Sequence, residues 1–280
     1  MKSFGSEADL QLIPNVVIFG ETGVGKSSLV NLIAGKKLTK TSSSATGCTL
    51  DAKQHIVEIN QHKFRLYDTV GLNEPSLGEN GYLIAVEKAF KLIKELESSG
   101  GIRLLLFCMR GGRITAAAQY NYRLFFEILC DKKVPIALVI TNLENEISMD
   151  GWWHTNHKQF EKFGMKSVGH ACVVADPGLD RIHQVKYDES RAKMHALILS
   201  QTDHSSWKAE RGNWFVRVAG MLRNWVFESS PSTSIPDLTA ISHKLVHRCG
   251  FGPDEAAFIA NKIVSSRNDS YTSLVSSSTH

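Results

Sequence analysis

Long apolar runs are missing from this chain of 280 residues. None approaches the roughly 20 consecutive apolar residues that a bilayer-spanning helix needs. The stretch from Met1 to Pro14 holds Glu7 and Asp9 and no apolar core, so no secretory leader is expected there. Cysteine is scarce. Cys48, Cys108, Cys130, Cys172 and Cys249 are odd in number, scattered and without metal-ligand spacing. That argues against a disulfide framework or a structural zinc site and for reduced thiols in a cytoplasmic protein. A charge excess is also lacking: the formal net charge is only +4, which gives no reason to expect a nucleic-acid partner. No internal repeat is visible. The length suits one large domain, or one with an appendage.

What is present is Gly20-Glu21-Thr22-Gly23-Val24-Gly25-Lys26-Ser27, which fits the phosphate-loop pattern G-x-x-x-x-G-K-[ST]. Val16–Phe19 before it reads as a buried strand, and Ser28–Ala34 behind it as a helix packed by Leu29, Leu32 and Ile33. Glycines let successive N–H groups face one hollow, and the helix N-terminus adds partial positive charge there. Glu21, Thr22, Gly23, Val24, Gly25, Lys26, Ser27 and Ser28 are therefore the expected phosphate-binding residues. Lys26 brings a full charge to the β- and γ-phosphates, and the Ser27 hydroxyl suits Mg²⁺, a hard cation.

Further along, His55–Ile59 and Lys63–Tyr67 read as strands joined at Asn60-Gln61, and the second runs into Asp68-Thr69-Val70-Gly71. Asp68 then stands at a strand tip, where open α/β sheets bind ligands, and its carboxylate can hold Mg²⁺. The Gly71 N–H is free to approach a γ-phosphate. Ile102–Cys108, Val134–Thr141 and Ala171–Ala175 read as strands. Leu83–Ser98, Tyr120–Cys130, Trp152–Phe163 and Glu189–Leu199 read as helices. The alternation predicts an α/β fold, a mainly parallel sheet with helices on both faces.

The expected organisation is an N-terminal arm over 1–13, a nucleotide domain over 14–200 and an amphipathic helix over 201–228. A Ser/Pro linker over 229–236, a short helical pair over 237–267 and a polar tail over 268–280 follow. The stripe Trp207, Trp214, Val218, Met221, Leu222 and Trp225 has three readings: a helix packed on the first domain, a partner surface, or contact with a membrane surface. The helical pair is a candidate docking module for an effector protein.

Gly20–Ser28, Ser44–Cys48, Asp68–Leu72 and Gly112-Arg113-Ile114-Thr115 together resemble the G domains of the translation-factor-related GTPases, within them the septin-like and AIG1-type branch. The chain also resembles uncharacterised fungal G-domain proteins with a similar Trp-Trp segment. The resemblance covers about residues 14–200. It implies the three-layer phosphate-loop NTPase sandwich, bound GTP or GDP, and Mg²⁺ held by Ser27, Asp68 and a switch threonine. Thr46 is that threonine by resemblance, with Thr49 as the competitor. Lys26, Thr46, Gly71 and Arg113 are the implied catalytic set, Arg113 either reaching across a nucleotide-dependent homodimer or pairing with a surface carboxylate.

Base recognition departs from the pattern. Thr141-Asn142-Leu143-Glu144 stands where Asn/Thr-Lys-x-Asp is usual. Glu144 can accept two hydrogen bonds from a guanine edge, or be an ordinary carboxylate at a helix start. Asn142 lacks the aliphatic stem that lysine lays over the base. Adenine nucleotide therefore stays open as an alternative, and Ala175-Asp176 is only a positional candidate for a second base loop. Leu72 follows D-x-x-G where a glutamine often orients water, so slow intrinsic turnover is expected, as is the alternative of a nucleotide-bound scaffold that does not hydrolyse.

Overall fold

A computed structural model describes residues 13–38, 52–69, 98–201 and 206–208, with single positions at 92, 95 and 96 and between 239 and 261. The chain divides into two compact units, Met1–Asn73 with Glu95–Lys208, and Glu74–Lys94 with Ala209–His280.

The first unit is built on six described strands, β1 Asn15–Gly20, β2 Ala52–Ile59, β3 His62–Thr69, β4 Leu104–Arg110, β5 Ile136–Thr141 and β6 Gly169–Cys172. Their order across the sheet is β2-β3-β1-β4-β5-β6. β2 and β3 pair antiparallel, and every other pairing is parallel. The β2–β3 turn, Asn60-Gln61, has positive φ at both residues (47° and 69°), the geometry that matches the twist of a two-residue hairpin.

The helices are α1 Lys26–Ala34, α2 Ala116–Tyr122 continued by a π-helical segment Arg123–Leu129, α3 Met149–Lys162 and α4 Gln184–Leu199. One face of the sheet, through Val16, Ile18, Leu104 and Leu106, packs with Leu29, Leu32 and Ile33 of α1 and Met194 and Ile198 of α4. On β1, Phe19 stacks on Phe107 of β4 and Phe125 of the π-helical segment, with ring centroids 4.9 and 4.3 Å away. β1 is buried along its whole length, as its uninterrupted apolar run predicts for a central parallel strand.

Several boundaries differ from expectation. Ile102 lies before β4 and makes an isolated antiparallel bridge with Trp207, so Trp207 belongs to an extended segment and not to a helical stripe. The helix expected from Tyr120 begins at Ala116, because the Thr115 hydroxyl accepts the Ala118 N–H at 2.9 Å. α4 begins five residues ahead of the expected Glu189, and β6 ends at Cys172 instead of Ala175. Cys108, Cys130 and Cys172 are buried free thiols, and burial pushes Cys108 and Cys172 up to about 12. Among the described residues no helix is long and apolar enough to cross a membrane.

In the second unit the described positions 239, 242, 243 and 246, and 253, 254, 256, 257, 260 and 261, are helical, with Ala256 and Ala260 buried.

Candidate functional site

Because β1, β3, β4, β5 and β6 run parallel, their C-terminal tips meet along one edge. The phosphate loop leaves β1 between β3 and β4, where the sheet's chain order reverses direction. Gly23 and Gly25 have φ of 78° and 93°. Gly25 is the residue before α1, and no side chain caps that helix. No acidic residue stands in its first turn. The first-turn N–H groups of Lys26, Ser27 and Ser28 thus begin an uncapped helix, the arrangement that receives an anion. Thr22 and Gly23 are exposed at the loop crest, and Val24 is buried beneath it.

Lys26 lies back across this loop. Its Nζ donates to the Gly20 carbonyl at 2.9 Å and the Glu21 carbonyl at 2.7 Å. The side chain is buried, and desolvation holds its ammonium below the ordinary lysine value, against the opposing pull of Cys108, Asp68 and Glu21. A cation stripped of water beside amide donors is a phosphate-binding arrangement.

One hydroxyl and one carboxylate complete the centre. Ser27 Oγ donates to Asp68 Oδ2 at 2.7 Å, joining α1 to the tip of β3 across 41 residues of sequence. Both donors are hard oxygens, and the carboxylate is buried, so the pair fits Mg²⁺. The neighbouring Thr69 hydroxyl donates to the Ile18 carbonyl at 2.9 Å and fixes the β3 tip against β1. Thr46, Thr49, Gly71 and Leu72 lie outside the described residues.

The end of β4 and the segment that follows it meet the phosphate loop at two points. Arg110 Nη2 donates to the Gly23 carbonyl at 3.5 Å. The Thr115 hydroxyl donates to the Glu21 carboxylate. Arg113 stands between these contacts, exposed, and makes no ion pair or hydrogen bond among the described residues.

At the β5 tip, Thr141 Oγ1 bonds the Val24 carbonyl at 2.6 Å and lies 3.1 Å from the Met109 carbonyl. Asn142 is exposed with φ of 59°. Leu143 is buried, which brings Glu144 half out of solvent. Lys186 of α4 donates to the carbonyls of Glu144 and Glu146 at 2.7 and 2.6 Å, clamping this loop. Glu144 does not start α3: Ser148 caps that helix by accepting the Gly151 N–H. Asp176 turns back to accept the Gly178 N–H at 2.9 Å.

Residues 15–142 match the model of a family described as 50S ribosome-binding GTPase. With the sheet order and phosphate loop above, that match decides the fold. It is the fold of the phosphate-loop GTPases. GTPase Der of Campylobacter jejuni strain RM1221 is 28% identical over 170 residues, which are 61% of this chain and 33% of that protein. The chain thus spans about a third of the length of this curated relative. Among solved structures, a variant of Aquifex aeolicus Era bound to GDP·AlF4⁻ is 18% identical, with a TM-score of 0.48 over 75% of this chain and 67% of that one. Toc33 from Arabidopsis thaliana, in a dimerisation-deficient form, is 16% identical, with a TM-score of 0.49 over 70% of this chain and 88% of that one.

The sequence of this domain makes the phosphate loop and Asp68 legible. It does not show how Thr141 and Thr115 hold that loop from the ends of two neighbouring strands, with Arg110 resting on its rim. The available signal was topological: the tips of β4 and β5 follow β1 in the sheet, so polar residues ending them face the same edge. Gly20 shows how tight the junction is. Its φ is 147°, and a Cβ there would stand 2.2 Å from the Cys108 carbonyl oxygen of β4. Gly20→Ala is expected to cost about 3 kcal/mol, from backbone strain plus overpacking. Differential scanning calorimetry should show the melting temperature lowered by roughly 6–12 °C.

Proposed function

We propose that this protein binds a guanine nucleotide with Mg²⁺ and slowly hydrolyses GTP to GDP and phosphate, as a switch of the AIG1-type branch assisted by a second copy of itself. The observation that carries the reading is the 2.7 Å Ser27–Asp68 contact beside the loop that Lys26 spans. Amide donors, a desolvated cation and a hydroxyl–carboxylate pair converge there. The N–H groups of residues 21–28 would orient the phosphates, and Lys26 would leave its carbonyl partners for the β- and γ-oxygens. Ser27 and Asp68, with Thr46 as a proposed third donor, would hold Mg²⁺. The ion would offset charge on the terminal phosphates. The Gly71 N–H is proposed to face the γ-phosphate. On the base side, Asn142 and Glu144 are the proposed contacts, Glu144 taking the guanine edge.

The test is competition among GTP, ATP and XTP for the purified protein in Mg²⁺, followed by single-turnover kinetics. GTP is expected to bind at least tenfold tighter than ATP and to be hydrolysed at ~10⁻⁴–10⁻² s⁻¹, the range of unassisted domains. Equal affinities would favour a less selective purine site, to which the departure at Asn142 points. Binding without turnover would favour a scaffold, to which Leu72 points. Asp68→Asn should weaken nucleotide binding in Mg²⁺ and change it little in EDTA.

A further inference from the structure

We infer that Arg110 is a nucleoside-positioning residue, its planar guanidinium forming the face against which the purine ring of a bound nucleotide lies. The inference rests on the nucleotide-binding reading above and names a contact that the base-recognition loop does not supply.

Arg110 is the last residue of β4 and stands in register with Thr141, the last residue of β5. The two residues work on adjoining parts of one wall. Thr141 holds the Val24 carbonyl at 2.6 Å, and Arg110 reaches the Gly23 carbonyl with Nη2 at 3.5 Å. The guanidinium therefore lies on the outer rim of the phosphate loop, beside the β5 tip. It is exposed, and no carboxylate pairs with it among the described residues. An arginine spent on structure normally finds an acid; this one, among the described residues, has one long contact to a neutral oxygen.

The backing is rigid. The Gly111 N–H donates to the Thr141 carbonyl at 2.8 Å. A Cβ at Gly111 would meet Leu143 Cδ2 at 2.5 Å, with Trp152 Nε1 at 3.6 Å. The absence of a side chain at 111 thus lets the β4 and β5 tips close on each other, and Arg110 is held at a fixed distance from Asn142. A nucleotide with its phosphates in the 21–28 hollow sends its nucleoside along this rim toward Asn142 and Glu144.

Chemistry selects the ring face as the contact. A guanidinium is flat, weakly hydrated and attracted to π-systems. The Asn142 amide is short and uncharged and offers no comparable platform. A stack reads the ring's face and not its edge, so it strengthens guanine and adenine nucleotides alike. Discrimination between them would remain with Glu144.

The experiment compares the full chain with Arg110→Ala and Arg110→Lys, measuring equilibrium affinities for GTP, ATP and inorganic tripolyphosphate in Mg²⁺. Arg110→Ala is expected to weaken GTP and ATP by a similar factor, about tenfold, and to leave tripolyphosphate unchanged. Arg110→Lys should recover only part of the loss, keeping the charge but not the plane. Equal losses for tripolyphosphate and GTP would make Arg110 a phosphate charge and overturn the inference. So would unchanged affinity for all three ligands, or full rescue by lysine. A wild-type protein that binds tripolyphosphate yet gains nothing from the nucleoside would overturn the inference alone. One that binds none of the three would overturn the nucleotide-site reading with it.

Discussion

Replacing Lys26 with Met is expected to weaken GTP binding by a few hundred-fold while leaving the protein folded. The side chain fills a buried place over the phosphate loop, and methionine has nearly the same length and bulk. What it removes is the charge and the N–H donors. Hydrogen bonds from a charged donor contribute roughly 1.5–3 kcal/mol each, and two to phosphate oxygens account for about 3–4 kcal/mol after partial compensation by water. Stability should change little, because the ammonium is desolvated where it now lies and its bonds to the Gly20 and Glu21 carbonyls offset that cost only in part. Isothermal titration calorimetry and a thermal melt would read the two effects separately.

Lys26 also has a pH signature. Burial lowers its folded pKa below the ordinary 10.5. Between the lowered value and 10.5 the unfolded chain binds more protons than the folded one, so this residue's contribution to stability rises with pH across that window. Phosphate binding runs the other way. It favours the protonated amine, so affinity falls as pH climbs through the lowered pKa, and nucleotide binding takes up a proton there. Lys26→Met should flatten both trends. A wild-type affinity for tripolyphosphate that stayed constant across the alkaline range would contradict the role given to Lys26.

The legible part of this chain was the part in which local sequence and chemistry coincide. Gly20–Ser27 must turn, present N–H groups and start a helix, and each demand leaves its own residue type behind. Asp68 was legible because a carboxylate ending an apolar strand in an α/β pattern has a predictable edge to face. Thr115 was less so. It caps α2 and also reaches Glu21, and only the cap is a local event; the second contact joins residues 94 apart in sequence. Glu144 offered two readings because helix starts are read to within a few residues. Ser148 turned out to be the cap. The π-helical continuation over Arg123–Leu129, where Phe125 stacks on Phe19 of the central strand, had no signature in its apolar spacing. Trp207 looked helical by period, yet its backbone hydrogen bonds go to Ile102. Period alone cannot distinguish a stripe from a segment that a distant strand captures.

Arg113→Ala is expected to lower GTP turnover by about 10³-fold or more at protein concentrations that favour dimers, with GTP affinity almost unchanged. The expectation follows from how its loop is held. The Gly111 N–H holds one end to the Thr141 carbonyl at 2.8 Å and Thr115 ties the other to Glu21, so the segment is kept beside the phosphate loop. Between those ties Arg113 is exposed and has no partner among the described residues, and a Cβ at the neighbouring Gly112 would meet nothing within 4 Å. A cation held beside one phosphate loop, exposed and unpaired among the described residues, is the one we propose for another copy's γ-phosphate. An arginine supplied in this way stabilises charge that develops only in the transition state, which is why it changes rate and not affinity. A gain of 10³–10⁵ corresponds to ~4–7 kcal/mol. The wild-type rate per molecule should climb with protein concentration and then level off, whereas the Arg113→Ala rate should stay at the dilute value throughout. Mixing Arg113→Ala with a Lys26→Met chain, which binds nucleotide poorly but keeps Arg113, should restore turnover at the alanine protein's site. Failure of that mixture to recover activity, under conditions where mixed dimers form, would remove the trans role and leave Arg113 a surface charge.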